Sequence, residues 1–161
     1  MDERQQARSH RSGQGYRKLV AFRAAHELVK ATYEITARFP KSEQFGLTSQ
    51  MRRAAVSVAA NIVEGHALST TALFVRHLAI SFGSCKELEY YFELAGELGY
   101  MDDAELLRAC RLEGQTAYLI SALSRGLKNR ATKASPVACS QPPAADSSDS
   151  YDSSDSSRAV P

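Results

Sequence analysis

Between Gly46 and Glu64 runs GLTSQMRRAAVSVAANIVE, a stretch whose apolar residues recur at helical spacing on two sides at once. At about 100° per residue, Met51, Ala55, Val58 and Ile62 form one stripe, and Val56, Ala59, Ala60 and Val63 form a second roughly 120° away. Only Arg53, Ser57 and Glu64 share a clearly polar side. A surface helix normally carries one apolar stripe, so a helix with two asks to be covered twice. Its own chain supplies one cover. The other is either a sister copy, approaching closely over small residues, or simply a wider core face within one bundle.

Three further segments have helical period, and none reads convincingly as a strand. The first spans about Arg17–Phe39, with Phe22, Ala25, Val29, Thr32, Thr36 and Phe39 on one face. Opposite stand Arg23, Glu27, Lys30, Glu34 and Arg38, alternating in sign as a solvated face does. Pro40 ends it, because the residue before a proline is driven out of the helical region. The Gly46–Glu64 helix is expected to stop at Gly65. A third helix starts at Ser69 or Thr70, either a suitable N-cap, and reaches about Leu98 before Gly99. Phe74, Leu78, Ser81, Cys85, Leu88, Phe92 and Ala95 are its main stripe; Leu73, Ile80, Tyr91 and Leu98 mark a second. The fourth opens on Asp102-Asp103-Ala104-Glu105, close to a capping box, and runs to about Leu127, with Leu106, Ala109, Glu113, Ala117, Ile120 and Leu127 on one face. Four long helices with short connections are expected to pack as an all-α, antiparallel up-down-up-down four-helix bundle.

The bundle is assigned to residues 17–130. Residues 1–16 lack apolar periodicity and are expected to be a flexible basic arm, and the Ser/Asp-rich residues 131–161 a disordered tail. The formal charge of +2 conceals a division. The four aspartates from Asp146 onward outweigh Arg158, so the tail is acidic and the remainder more basic than the total suggests. The N-terminus lacks an apolar signal region, and no apolar run approaches the ~20 residues of a membrane span. A cytoplasmic protein without membrane association is the expectation. Cys85, Cys110 and Cys139 show no CxxC spacing, and the two in helical segments read as small buried hydrophobes.

Catalytic constellations are hard to find. The histidines, His10, His26, His66 and His77, include no pair at i, i+4, and no helix carries the Glu-x-x-His of a di-iron bundle. Gly13-x-Gly15 lacks the third glycine of a phosphate loop and follows no strand. A non-enzymatic protein with no cofactor and no metal is expected.

Gln50-Met51-Arg52-Arg53-Ala54-Ala55-Val56-Ser57, followed by Asn61-Ile62 and Glu64-Gly65, resembles the four-helix-bundle family encoded within 23S rRNA intervening sequences, which also includes accessory proteins of diversity-generating retroelements. The likeness extends through Phe39–Gln50, through Leu78-x-Ile80, Gly83-Ser84 and Glu87-Leu88-Glu89, and through Leu98-Gly99-Tyr100, covering roughly Tyr16–Lys128. It implies a four-helix protomer, often assembled as a pentameric barrel, that binds RNA or DNA by a basic surface. Two departures stand out. Val58-Ala59 replaces the Ile-Pro of many members, so the helix should continue unkinked, and Ala67-Leu68 replaces a Gly-Arg, which removes a cation near the second turn.

Two groups of residues are candidates for nucleic-acid contact. On the fourth helix Arg108, Arg111, Tyr118 and Arg125 share a sector facing away from the apolar stripe, with Lys128 closing the row; cations can neutralise phosphate and a tyrosine can stack on an unpaired base. The alternative is an ordinary solvated face. Arg52 and Arg53 admit three roles: pairing with acidic groups of a neighbouring helix or copy, Glu64 of a neighbouring copy being one candidate, holding the adjacent loop, or meeting phosphate. Val56, Ala59, Ala60 and Val63 are the candidate oligomer interface. The expected partners are therefore further copies of the chain, RNA or DNA, and a reverse transcriptase where a retroelement is involved; the rival expectation is a protein–protein adaptor.

Overall fold

The structure, a computed structural model, describes residues 15–134. The arm and the tail expected from the sequence lie outside these residues except at their inner edges. There a 3-10 turn occupies Gly15–Lys18, and the last helix runs on to Ala134, seven residues beyond its expected end.

Four α-helices make up the bundle: α1 (Val20–Thr36), α2 (Leu47–Ala67), α3 (Thr71–Glu97) and α4 (Asp103–Ala134). No strand occurs among the described residues. α3 packs on α2 and α4, and α1 closes the ring against α2 and α4. Contacts at the ends fit successive helices running in opposite directions. Tyr16, just before α1, meets His66 near the end of α2, while Phe39 after α1 packs on Tyr100 after α3. Arg38 forms an ion pair with Glu105 in the first turn of α4.

The core follows the expected stripes, with shifts. Met51, Ala55, Val58 and Ile62 of α2 are fully buried, as are Leu78, Ser81, Cys85, Leu88, Phe92 and Ala95 of α3 to within a percent or so. On α1 the buried face is centred on Ala21, Ala25, Leu28 and Thr32, so Leu28 replaces Phe22 and Val29, which are half-buried. Thr32 and Thr36 enter the core because each hydroxyl donates to the carbonyl one turn back, at 2.8 and 2.7 Å.

Helix ends show which terminal residues matter. Thr70 caps α3 by accepting from Leu73 N–H, and Asp102 and Glu105 exchange hydrogen bonds at 2.7 and 3.3 Å, completing the reciprocal box at the head of α4. α3 ends on Gly99 at φ 72°, with Tyr100 N–H reaching Ala95 O and Gly99 N–H reaching Gly96 O. Gly65 corrects the sequence reading. It is buried inside α2, which continues to Ala67, and a Cβ there would stand 2.7 Å from Phe74 Cδ2 and 2.8 Å from His77 Cβ. The glycine serves close helix approach, not helix termination.

Candidate nucleic-acid interface

Of the polar side expected on α2, Ser57 turns toward α3, where Asn61 joins it, while Arg53 and Glu64 remain exposed. Ser57 Oγ lies 2.8 Å from Ser84 Oγ, Asn61 donates to Ser57 O at 2.9 Å, and His77 Nδ1 stands 3.1 Å from Asn61 Oδ1. Ser81 donates to Val58 O at 2.7 Å. Small hydroxyls and amides can satisfy one another across a close helix pair, so Ser57 and Asn61 close against α3. The second apolar stripe is left toward solvent: Val56 is 43% exposed and Ala59, Ala60 and Val63 are half-buried.

Arg52 is held within its own chain. Its Nε donates to Thr36 Oγ1 at 2.8 Å, and its guanidinium lies 4.8 Å from the centre of the Tyr33 ring, so it pins α1 to α2. Within the chain, Glu64 sits 3.6 Å from His77 Nδ1 and is mostly exposed. The positive end of α2, an unfavourable place for two arginines, is offset by Glu43, whose carboxylate accepts from Leu47 N–H at 3.0 Å and from the Tyr100 hydroxyl at 3.3 Å. Arg53 is exposed and in no ion pair among the described residues.

Around these arginines lies a hollow of about 500 Å³ that includes Tyr33, Phe45, Arg52, Arg53 and Val56. Phe45, in the turn before α2, is 88% exposed. Sequence reasoning passed over this residue, although its signal was present: an aromatic in a short polar connection between Pro40 and Gly46 has no helical face to bury it.

The row on α4 is not one flat patch. Arg108 borders a hollow of about 260 Å³ shared with α1, where it stands with Glu34 and with the Arg38–Glu105 ion pair, so two carboxylates share its surroundings. Arg111 and Tyr118 face outward, the tyrosine 65% exposed. Arg125 and Lys128 border the trough toward α3. From Gly114 to Ala134 the helix carries Arg125, Lys128, Arg130 and Lys133 and no carboxylate. All four cations are exposed, and none is in an ion pair among the described residues.

The family model for the 23S rRNA-intervening sequence protein matches residues 17–120. The chain belongs to that family. A crystal structure of a protein of unknown function from the S23 ribosomal protein family of Bacteroides thetaiotaomicron shares the fold of this 23S rRNA-intervening sequence family member, with a TM-score of 0.62 and 20% identity over 66% of this chain and 96% of the other. No curated protein matches.

Groups able to do acid–base or metal chemistry are sparse in this family member's described residues. No cluster of three or more His, Cys, Asp or Glu there is placed to hold a metal ion, and no helix is long and apolar enough to cross a membrane. Burial pushes the Cys85 thiol up to about 12, with the nearby Glu113 carboxylate adding to the effect, so it is a poor nucleophile. Glu113 is itself fully buried on the apolar face of α4. Lys86 Nζ lies 3.2 Å from Oε1, near enough for charge pairing, yet neither carboxylate oxygen receives a well-directed hydrogen bond. Burial raises its pKa above the usual carboxylate value, and Lys86 offsets this only in part.

Proposed function

We propose that this protein is a non-enzymatic, self-associating helical bundle that binds structured RNA or RNA–DNA through phosphate contacts with little reading of sequence. Its setting is ribosomal RNA handling or service to a retroelement reverse transcriptase. The observation that carries the reading is the C-terminal half of α4: Arg125, Lys128, Arg130 and Lys133 are exposed and unpaired among the described residues, and no carboxylate of that half competes for them. Arg111 and Tyr118 extend the surface toward the middle of the helix. Self-association multiplies it, so that contacts of ~1 kcal/mol each act together through avidity.

Titration against an RNA hairpin at two salt concentrations tests it. Affinity should fall by about 0.9 log units per log unit of salt for each duplex phosphate engaged, and Arg111→Glu with Arg125→Glu should weaken binding at both. Salt-independent binding, or a double variant that binds equally well, overturns the assignment.

A second reading, a protein–protein adaptor, is favoured by Phe45. An aromatic side chain 88% exposed beside Val56 and Tyr33 suits an apolar protein contact at least as well as an unstacked base.

A further inference from the structure

The trough between α3 and α4 consists of two adjoining hollows, of about 410 and 260 Å³, that share Lys128. Val75, Leu78, Phe82 and Ala131 supply apolar lining, while Arg125 and Lys128 supply charge that is in no ion pair among the described residues. An occupant suited to it is an aromatic or aliphatic group flanked by carboxylates. The chain carries such a segment in DSSDSYDSSD, Asp146–Asp155, where Tyr151 is the only aromatic residue after Tyr118 and has Asp149 and Asp152 close on either side.

We infer that Asp146–Asp155 docks into the α3–α4 trough of its own chain, with Tyr151 on the apolar lining and the neighbouring carboxylates on Arg125 and Lys128. Length and position argue for the same chain as the source. α4 is described as far as Ala134, two residues past Thr132 on the trough wall, and Tyr151 follows 17 positions later in the sequence. A coil of that length would span ~23 Å, and the trough runs back along α4 from Thr132 to Ile120, roughly 20 Å at helical rise. A tether whose reach matches the span gives an effective concentration on the order of millimolar, enough to hold a contact too weak to persist between separate molecules. Docking covers Arg125 and Lys128, so the tail competes with phosphate for them; this consequence alone rests on the nucleic-acid reading above.

The chain has no tryptophan, so Tyr151→Trp in the full-length protein gives a single reporter. Its emission should be blue-shifted, and its quenching by acrylamide several-fold weaker, relative to a peptide of residues 135–161 with the same substitution. Arg125→Ser with Lys128→Ser should remove both effects, and both should be independent of protein concentration. Emission and quenching equal to the peptide's overturn the inference. Protection that grows with protein concentration overturns it too, since the segment would then occupy another copy. In a second arm, replacing Asp146, Asp149, Asp152 and Asp155 by Ser should tighten binding of the RNA hairpin several-fold at low salt. No tightening removes the competition. If neither chain binds the hairpin, the nucleic-acid reading fails while the fluorescence still decides the docking.

Discussion

Gly65 shows how one missing side chain sets a helix spacing. With Phe74 and His77 of α3 under 3 Å from where a Cβ would lie, Gly65→Ala forces the two helices apart or displaces the aromatic ring. Overpacking of this kind costs about 1–3 kcal/mol, so the variant should melt several degrees lower by circular dichroism with its helix content unchanged. Glu113 presents the opposite case, a polar group present where the packing wants none. Its folded-state pKa is raised, chiefly by burial, so the folded protein holds this proton more tightly than the unfolded chain. The sign follows: the group costs no stability below the unfolded carboxylate pKa, and stability falls as pH rises from there through the folded pKa. Glu113→Gln should therefore raise the neutral-pH melting temperature, by about 1 kcal/mol of stability on the scale of one unsatisfied buried polar group. The gain should shrink as the pH falls toward 4. A gain of equal size at both pH values would show that shape, not charge, is responsible.

At the scale of elements, the beginnings of α3 and α4 were legible in the chain, whereas the cap of α2 and the ends of α2 and α4 were not. Thr70 and Asp102 act as caps because their side chains accept from the N–H groups three residues on, a purely local geometry. Asp102→Ala should lower stability by about 1 kcal/mol in urea unfolding, with the loss centred on the first turns of α4 by hydrogen exchange. The cap of α2 could not be read in this way. It comes from Glu43 in a separate 3-10 turn, a residue that also accepts from the Tyr100 hydroxyl in the connection between α3 and α4. The partner of a glycine is equally non-local. Gly99 ends α3 because its backbone turns left-handed there, whereas Gly65, the same residue type at a similar place in the pattern, remains helical.

At the scale of the whole molecule, charge and apolar surface are divided between regions. The acidic residues of α4 stand at its head or, in Glu113, inside the core, and its cations crowd the tail end. The exposed apolar groups Phe45 and Val56 lie beside Arg52 and Arg53. If this face joins copies, Phe45→Ser should dissociate the assembly by the ~2 kcal/mol of an interface hot spot. It should leave the melting of the protomer unchanged, because Phe45 touches so little within its own chain. Sedimentation velocity across a concentration series reads the outcome; an unchanged mass distribution removes Phe45 from the interface.

From sequence alone came the number of helices, the residues that start α3 and α4 and most of the buried stripe on each helix. Spacing at 3.6 residues, capping chemistry and charge are properties of neighbours along the chain. Tertiary structure decided which side of α2 stays outside, because Ser57 and Asn61 pair with α3 and leave Val56 toward water with Ala59, Ala60 and Val63 half-buried. It decided that Arg52 clasps Tyr33 and Thr36, that Arg108 shares its hollow with two carboxylates while Arg125 and Lys128 share theirs with none among the described residues, and that Phe45 is exposed. Each of these depends on which atoms of distant segments come within a few ångströms, and helical periodicity ranks the faces of a helix without saying what will stand opposite them.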